Sequence, residues 1–302
     1  AISNFEESIE SPQRYNFGFI ASTDDHTARP GTGYKQYERR KMTFATGVKS
    51  KMWEYQYKAE DPNFPEIPKI IPGESQPDSE RVSSFVYPGG ILAVHANGRG
   101  KEEIWTALKN KNVYGTSGPR ILLWFDLINS PEGRVPMGSE IIMSQNPRFI
   151  VRAAGSLKQN QGCSNESIDS LSPERLEYLC AGECYNPSNE REVIEKIEVI
   201  KITPQIYAGE SITPLIQDPW RTIPCGGTGE CVVEFEDQNF SRDSVYYVRA
   251  IQRSTPAING APLFQRESFE LCKGSFRTAL DDDCLSMTNE RAWSSPIYVN
   301  KP

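Results

Sequence analysis

The feature that most constrains the fold is a series of short, strand-like runs that begins after Gly118 and Pro119. These runs are rich in β-branched and aromatic residues, several alternate apolar with polar side chains, and clusters of Gly, Pro, Asn and Ser separate them. They span residues 121–128, 149–154, 194–202, 231–235, 245–252 and 296–299. Short alternating strands with frequent turn residues are typical of an antiparallel sandwich. We therefore predict a β-rich, sandwich-like domain over residues 119–302.

The chain before Gly118 has a different pattern, which includes one clear helix. Ile104, Trp105 and Leu108 form an apolar stripe at helical spacing. Two acidic residues precede them and favour the N-terminal end of a helix, where the backbone carries partial positive charge. We predict a helix over residues 101–110.

Length and charge limit the class of protein. The 302 residues include 33 basic and 40 acidic side chains, a net charge of −7. This length is enough for one or two domains with a sizeable core. The negative balance argues against nucleic acid as a partner, because binding to a phosphate backbone needs a basic surface. The longest apolar run, residues 121–125, is too short to cross a bilayer, so no membrane span is predicted.

All seven cysteines lie in the second half of the chain. They are Cys163, Cys180, Cys184, Cys225, Cys231, Cys272 and Cys284. Zinc sites favour paired Cys-x-x-Cys spacings, which this chain lacks, so disulfides are the better interpretation. Disulfides indicate an oxidising compartment, and we predict a periplasmic or secreted protein. The odd number leaves at least one thiol over, and spacing alone leaves the connectivity open.

An apolar run at residues 15–21 leads into Asp24, Asp25 and His26. We predict that the run is a buried strand. On an extended backbone Asp24 and His26 point to one face, and a carboxylate beside an imidazole is half of a divalent-metal site. The alternative is structural, because Ser-Thr-Asp-Asp clusters commonly cap helices and form turns.

Four residues are candidates for binding a small anionic substrate: His95, Asn97, Arg99 and Arg29. His95 ends a second apolar run, and the Gly-containing loop after it carries an amide and a guanidinium. Arg29 follows the Asp24–His26 motif, where a cation would pair with a phosphate or carboxylate. Each has a structural alternative: a packed histidine, polar residues in a turn, and a solvated surface charge.

Several blocks occur in an order that is similar to one branch of a known superfamily. They are residues 17–26, 88–94, 102–109, 113–120, 137–140 and 291–299. The Phe-Gly-containing run into Ser-Thr-Asp-x-His resembles the last metal-binding motif of the PHP (polymerase and histidinol phosphatase) superfamily. The remaining blocks resemble a branch of large bacterial proteins of unknown function within it.

The resemblance implies an α+β fold: the C-terminal portion of a PHP-like distorted β/α barrel over residues 1–118, followed by the antiparallel β-sandwich-like domain. It assigns Asp24 and His26 to the final ligand pair of a site for divalent ions, with zinc, manganese or iron as the candidate metals. Because His95 is the only other histidine, the other ligands would lie in a missing N-terminal barrel segment; the alternative is that the site has degenerated. The expected partner is that segment or a second copy, and the isolated chain is expected to be inactive.

Two functions follow from these observations. The first is metal-dependent hydrolysis of a phosphoester, implied by the superfamily. The alternative is a non-catalytic module that binds an envelope ligand such as a glycan, or that serves as structure. The aromatic residues are numerous enough to line a sugar site, although aromatic residues also build ordinary sandwich cores.

Overall fold

The computed structural model of the chain describes residues 14–22, 90–180, 184–258 and 285–302. These residues form mostly β-sheet. In chain order the strands are β1 (Ile91–Val94), β2 (Val113–Thr116), β3 (Leu122–Ser130), β4 (Gly133–Pro136), β5 (Glu140–Ile142), β6 (Arg148–Ala154), β7 (Leu157–Gln159), β8 (Pro187–Arg191), β9 (Ile194–Ile202), β10 (Ile216–Pro224), β11 (Glu230–Glu236), β12 (Ser244–Gln252), β13 (Thr255–Ile258), β14 (Leu285–Thr288), β15 (Arg291–Ser294) and β16 (Ile297–Asn300). The helices are α1 (Lys101–Lys109), α2 (Asn165–Ser170) and α3 (Pro173–Cys180).

Strand β12 is the centre of the larger sheet, which has eight strands. It pairs with β9 along one side, and β9 pairs with β10. On the other side, β12 pairs with β15 at one end and with β16 at the other. From β15 the sheet continues through β2 to β1, and from β16 it continues to β5, the one parallel pair among the described strands.

The smaller sheet has the order β11-β6-β3-β4 and is antiparallel throughout. Its inward side chains pack against those of the larger sheet. Phe149 of β6 stacks on Phe125 of β3 and Phe235 of β11, with ring centroids 5.3 and 5.0 Å apart. Its ring also lies 4.8 Å from that of Tyr246 on β12 in the opposite sheet. Two sheets facing one another across an aromatic and aliphatic core make a β-sandwich.

The β-rich part of the sequence prediction is confirmed. Each of the six strand-like runs falls on an observed strand (β3, β6, β9, β11, β12 or β16), with ends displaced by no more than two residues. The helix predicted at 101–110 is α1. The pattern missed β10, whose residues are mostly exposed and include Pro219 and Trp220, so that no alternation of apolar and polar residues marks it.

The expected α+β fold, with part of a β/α barrel over residues 1–118, is wrong for the described residues, which are mostly β-sheet. In a β/α barrel, the strands on either side of α1 would be parallel neighbours. Instead β1 and β2 are antiparallel, with Ile91 opposite Thr116 and Val94 opposite Val113. Both strands form one end of the sandwich's larger sheet, because β2 pairs with β15. The domain division at Gly118 and the companion segment or second copy stay predictions.

The buried strand predicted at residues 15–21 is also wrong. Residues 14–22 form no strand, and Tyr15, Phe17 and Ile20 are 59%, 39% and 71% exposed. They lie across the outer face of the larger sheet, so their backbone bonds to side chains of that face and not to a neighbouring strand. We call residues 14–22 the crossing segment.

A buried ion pair joins the two sheets. Lys201 of β9 donates from Nζ to Oδ2 of Asp237, 2.5 Å away, and the Asp237 side chain is 1% exposed. The Tyr246 hydroxyl donates to the same oxygen at 2.5 Å, and the backbone N–H of Asn239 donates to Oδ1 at 3.1 Å. The carboxylate is therefore bonded by two side chains of the larger sheet and by the backbone of its own turn, which is the condition for keeping a charge in an interior.

This carboxylate predicts a loss of stability in acid. Burial by itself would raise the pKa of Asp237, but the hydrogen bonds from Lys201 and Tyr246 and the charge of Lys201 outweigh burial and lower the pKa. Such a group contributes stability that is fully present above the unfolded pKa of about 4 and is lost as pH falls through the folded value. In urea unfolding across pH, the stability advantage of the wild type over Asp237→Asn should shrink below about pH 4. Parallel profiles for the two proteins would contradict this assignment.

Candidate functional site

The crossing segment runs from the β5 end of the larger sheet to the β1 end, and both of these ends lie on the same side of β12. At its start, Arg14 pairs with Asp243 and the amide of Asn16 donates to Glu140 on β5. At its end, Ala21 lies against Gly90 and Gly115, beside β1 and on β2. Between these points it contacts Tyr298 of β16 and Tyr247 of β12.

The backbone of the crossing segment is held by hydroxyl groups of the sheet. The N–H of Phe17 donates to the Tyr298 hydroxyl at 2.9 Å, and that hydroxyl donates to the Phe17 carbonyl at 3.1 Å. The N–H of Phe19 donates to Oγ of Ser295 at 3.0 Å. These bonds replace the ladder of a strand and leave the side chains free to line the surface.

A groove opens between the crossing segment and the sheet. Its lining includes three aromatic side chains, and we call it the aromatic groove: Phe19, Tyr247 of β12 and Trp293 of β15. The Phe19 ring meets the Tyr247 ring edge to face, with centroids 5.0 Å apart. Gly115 of β2 faces the crossing segment, and a Cβ at this position would lie 2.9 Å from the Ala21 Cβ. Glycine is therefore needed for the segment to lie this close to the sheet.

Strand register explains why these side chains share a face. Tyr247 and Arg249 are two residues apart on β12, so both point outward while Tyr246 and Val248 point into the core. Arg249 is opposite Trp293 of β15.

The charged side chains beside the groove form ion pairs with one another. Arg249 donates from Nε to Glu198 at 2.9 Å and also pairs with Asp218. Burial works to raise the pKa of Glu198, but hydrogen bonds and charge from Lys196 and Arg249 lower it. For Tyr247, burial raises the pKa and the charge of Asp218 adds to the rise. At neutral pH the groove therefore has a neutral phenol beside charges that already have partners.

Two polar atoms of the groove remain available. Among the described residues, neither the Tyr247 hydroxyl nor the indole N–H of Trp293 has a hydrogen-bond partner. Neither atom is both unsatisfied and fully buried, so each can bond to solvent or to a ligand.

His95 has a structural environment at the end of β1. Its Nε2 donates to the Leu123 carbonyl at 2.8 Å, so that nitrogen carries the proton. The ring lies between Tyr114 and Trp124, with centroids 5.3 and 5.7 Å away. These contacts match the packed-histidine alternative, and the role of His95 in binding substrate stays a prediction.

The other predicted site residues that the structure describes, Asn97 and Arg99, do not line the groove. Asn97 and Arg99 are exposed in the loop before α1. Ala21 lies at the Gly90 end of β1, while His95 and its loop follow the opposite end, about 15 Å along the strand. Asp24, His26 and Arg29 lie outside the described residues.

Within the described residues, one group of three potential metal ligands converges. Its members are Cys163, Cys180 and Cys184, whose sulfurs lie within 4.8 Å of one another. The predicted site for divalent ions involves Asp24 and His26, which are not part of this cysteine group. The prediction of a divalent-metal site is therefore not tested by it.

The aromatic groove was missed by the sequence reasoning. Phe19 was assigned to a buried strand, and Trp293 appeared only as part of a C-terminal block. The available signal was the pair Tyr246-Tyr247, in which one aromatic must face outward on any strand. Which residues would stand beside it depends on register with β15, and no local pattern encodes that register.

None of the helices in the described residues has the length and apolar character required to cross a bilayer. The described part of the chain contains two disulfides, Cys163–Cys184 and Cys225–Cys231. Together these observations are compatible with a periplasmic or extracellular protein.

Comparison with known proteins gives one positive result. A family model described as a protein of unknown function (DUF3604) matches residues 6–161. The match includes the crossing segment, β1 to β7 and α1, and it covers more than half of the 302 residues. No curated protein and no solved structure matches the chain. The chain is therefore a member of the DUF3604 family.

Proposed function

We propose that this chain is a non-catalytic binding module whose ligand is a neutral carbohydrate of the cell envelope. The observation that carries the proposal is the aromatic groove, which is lined by the partly buried side chains of Phe19, Tyr247 and Trp293. Aromatic rings offer apolar faces at little cost in conformational entropy, and tyrosine and tryptophan add a polar group at the rim.

The electrostatics of the groove favour an uncharged ligand. Arg249 is bonded to Glu198 and Asp218, so an anionic ligand would have to compete with two carboxylates for it. A sugar needs no counter-ion. It presents C–H groups to the rings and hydroxyl groups to the Tyr247 hydroxyl and the Trp293 indole N–H. A periplasmic or secreted location, which the disulfides favour, would expose the groove to envelope glycans.

Removal of one groove aromatic should weaken carbohydrate binding. Trp293→Ala and Tyr247→Ala are each expected to lower the affinity for a neutral hexasaccharide by about tenfold, equivalent to about 1.4 kcal/mol. Isothermal titration calorimetry with chitohexaose and cellohexaose measures this change. Trp105→Ala is the matched control, because Trp105 is 56% exposed on α1 and does not line the groove. If the wild type binds neither sugar, or if the groove variants bind as well as Trp105→Ala, the proposal is wrong.

Metal-dependent phosphoester hydrolysis is the second proposal, and it concerns the residues directly after the crossing segment. Ser22 is the last described residue of that segment, and Asp24 and His26 follow it in the chain. Here a divalent ion would polarise the phosphoryl oxygen, and Asp24 and His26 would help to hold it. Bound metal and phosphoesterase activity should both fall in Asp24→Ala and stay unchanged in Trp293→Ala. Unchanged metal content in Asp24→Ala would remove this proposal and leave the binding proposal intact.

A further inference from the structure

Three cysteine sulfurs meet at the base of the helical excursion formed by α2 and α3, away from the aromatic groove. Cys163 and Cys184 form a disulfide, and Cys180 keeps its thiol. The Cys180 sulfur lies 2.7 Å from that of Cys184 and 3.6 Å from that of Cys163. Thiol–disulfide exchange needs one thiol next to one disulfide, and these three cysteines provide both.

The excursion is anchored independently of its disulfide. Strands β7 and β8 pair at its base, and the N–H of Asn160 donates to the Asn186 carbonyl at 2.8 Å. The N–H of Cys184 also donates to the Gly162 carbonyl at 3.3 Å. These bonds keep Cys163 and Cys184 near each other even when no covalent bond joins them.

We propose that Cys163, Cys180 and Cys184 form an exchange triad in which Cys184 holds its disulfide with either Cys163 or Cys180. The thiolate of Cys180 attacks the Cys184 sulfur, and the Cys180–Cys184 bond forms as the Cys163–Cys184 bond breaks. Cys163 leaves as a thiolate and takes up the proton that Cys180 released to solvent. One disulfide and one thiol are present before and after, so the step needs no oxidant or reductant.

The two pairings constrain the excursion differently. The Cys163–Cys184 bond joins residues 21 positions apart and encloses both helices, whereas a Cys180–Cys184 bond joins residues four positions apart. Exchange therefore removes the covalent restraint at the end of the excursion that precedes α2, and that end is then held by the hydrogen bonds at the base. Neither α2 nor α3 has a buried residue, so their movement loses little packing. The triad thus acts as a switch between an excursion closed by a disulfide and one closed by hydrogen bonds.

The sulfur positions indicate what motion the exchange requires. The three sulfurs form a triangle, whereas attack on a disulfide brings the entering and leaving sulfurs into line. The Cys180 side chain must therefore rotate before the new bond forms. All three cysteines are partly exposed, which leaves room for this rotation and allows reagents to reach the sulfurs.

Trypsin separates the two pairings. Cleavage after Lys158, Arg175 and Arg191 places Cys163 in peptide 159–175 and both Cys180 and Cys184 in peptide 176–191. The full chain is incubated at mildly alkaline pH, where thiolate forms, then acidified, labelled with N-ethylmaleimide and digested without reductant. The expected result is label on Cys163 together with an internally bonded peptide 176–191, in addition to linked peptides labelled on Cys180. Label confined to Cys180 after every incubation time would overturn the proposal.

Variants provide an independent measurement. Cys163→Ser should contain a Cys180–Cys184 disulfide, and Cys180→Ser should show no label on Cys163. The double variant Cys225→Ser/Cys231→Ser is the control, because it removes the other disulfide and should leave the partition of label unchanged. Two reactive thiols in Cys163→Ser would overturn the proposal. A wild-type protein that resists labelling at all three cysteines until a chelator removes a bound metal ion would overturn it as well.

Discussion

Replacement of Lys201 with methionine is expected to lower the free energy of unfolding by about 3–5 kcal/mol, the range for breaking a buried ion pair. The Lys201 side chain is 11% exposed and its only carboxylate partner among the described residues is Asp237. Methionine fills the space of the aliphatic stem but leaves a buried carboxylate without its counter-charge. Urea unfolding followed by tryptophan fluorescence measures the change, since Trp220 lies beside Lys201, with Nζ 5.4 Å from the ring centroid.

The double variant Lys201→Met/Asp237→Asn distinguishes loss of the pair from loss of the lysine. It removes both charges. The Oδ1 atom of the asparagine can still accept from the Asn239 N–H, and its Nδ2 can donate to the Tyr246 hydroxyl, so the double variant should be more stable than Lys201→Met alone. Lys158→Met is the matched control, because Lys158 pairs with Glu190 at 2.9 Å on an open surface. That variant should unfold at the midpoint of the wild type. Equal midpoints for Lys201→Met and Lys158→Met would show that the buried pair contributes nothing.

Gly138→Ala is expected to destabilise the sandwich by about 3 kcal/mol or more, for two reasons that add. Gly138 has φ +89°, in the region that L side chains rarely adopt. A Cβ there would also lie 2.4 Å from the Lys111 carbonyl oxygen and 2.6 Å from that of Asn110, both backbone atoms at the end of α1. Neither carbonyl can move without disturbing the helix end that packs on this turn.

Gly133→Ala separates the two contributions. Gly133 has φ +93°, close to that of Gly138, but a Cβ there has no neighbour within 4 Å among the described residues. This variant should show only the conformational cost, about 1–2 kcal/mol. Midpoints of chemical denaturation for the two variants give the comparison. If Gly138→Ala costs no more than Gly133→Ala, the close approach of α1 to this turn is wrong.

Local patterns predicted the elements better than their arrangement. The alternation in residues 194–202 and 245–252 reflects the face that each strand buries, so β9 and β12 were found within a residue. The helical spacing of Ile104, Trp105 and Leu108 located α1, although Ile104 and Trp105 are exposed and the buried residue of the helix is Ala107. Whether β1 and β2 pair parallel or antiparallel changes no local pattern. The resemblance to a β/α barrel predicted that β1 and β2 are parallel. The structure shows that they are antiparallel, with Ile91 opposite Thr116.

The cysteines and the groove residues also show that local patterns predict residue types better than their spatial arrangement. The cysteine content predicted disulfides, but the pairing of Cys225 with Cys231 across the glycine-rich turn was left open by the spacing and is seen in the structure. The contact of Cys180 with the Cys163–Cys184 bond requires two helices to fold back on their own base, which spacing alone does not reveal. Phe19, Tyr247 and Trp293 come from three distant parts of the chain and meet only because a non-strand segment crosses β12.

By itself, the sequence determined that this protein is a disulfide-containing, β-rich chain with a helix near residue 101, since strand alternation, helical stripes and cysteine content are properties of neighbouring residues. Only the tertiary structure decided that the segment leading to Asp24 crosses the sheet outside its hydrogen-bonded ladder. It also decided which aromatic side chains share a surface and which three sulfurs touch. Those outcomes depend on strand register and on close approach at glycines such as Gly115, which act between residues far apart in the chain.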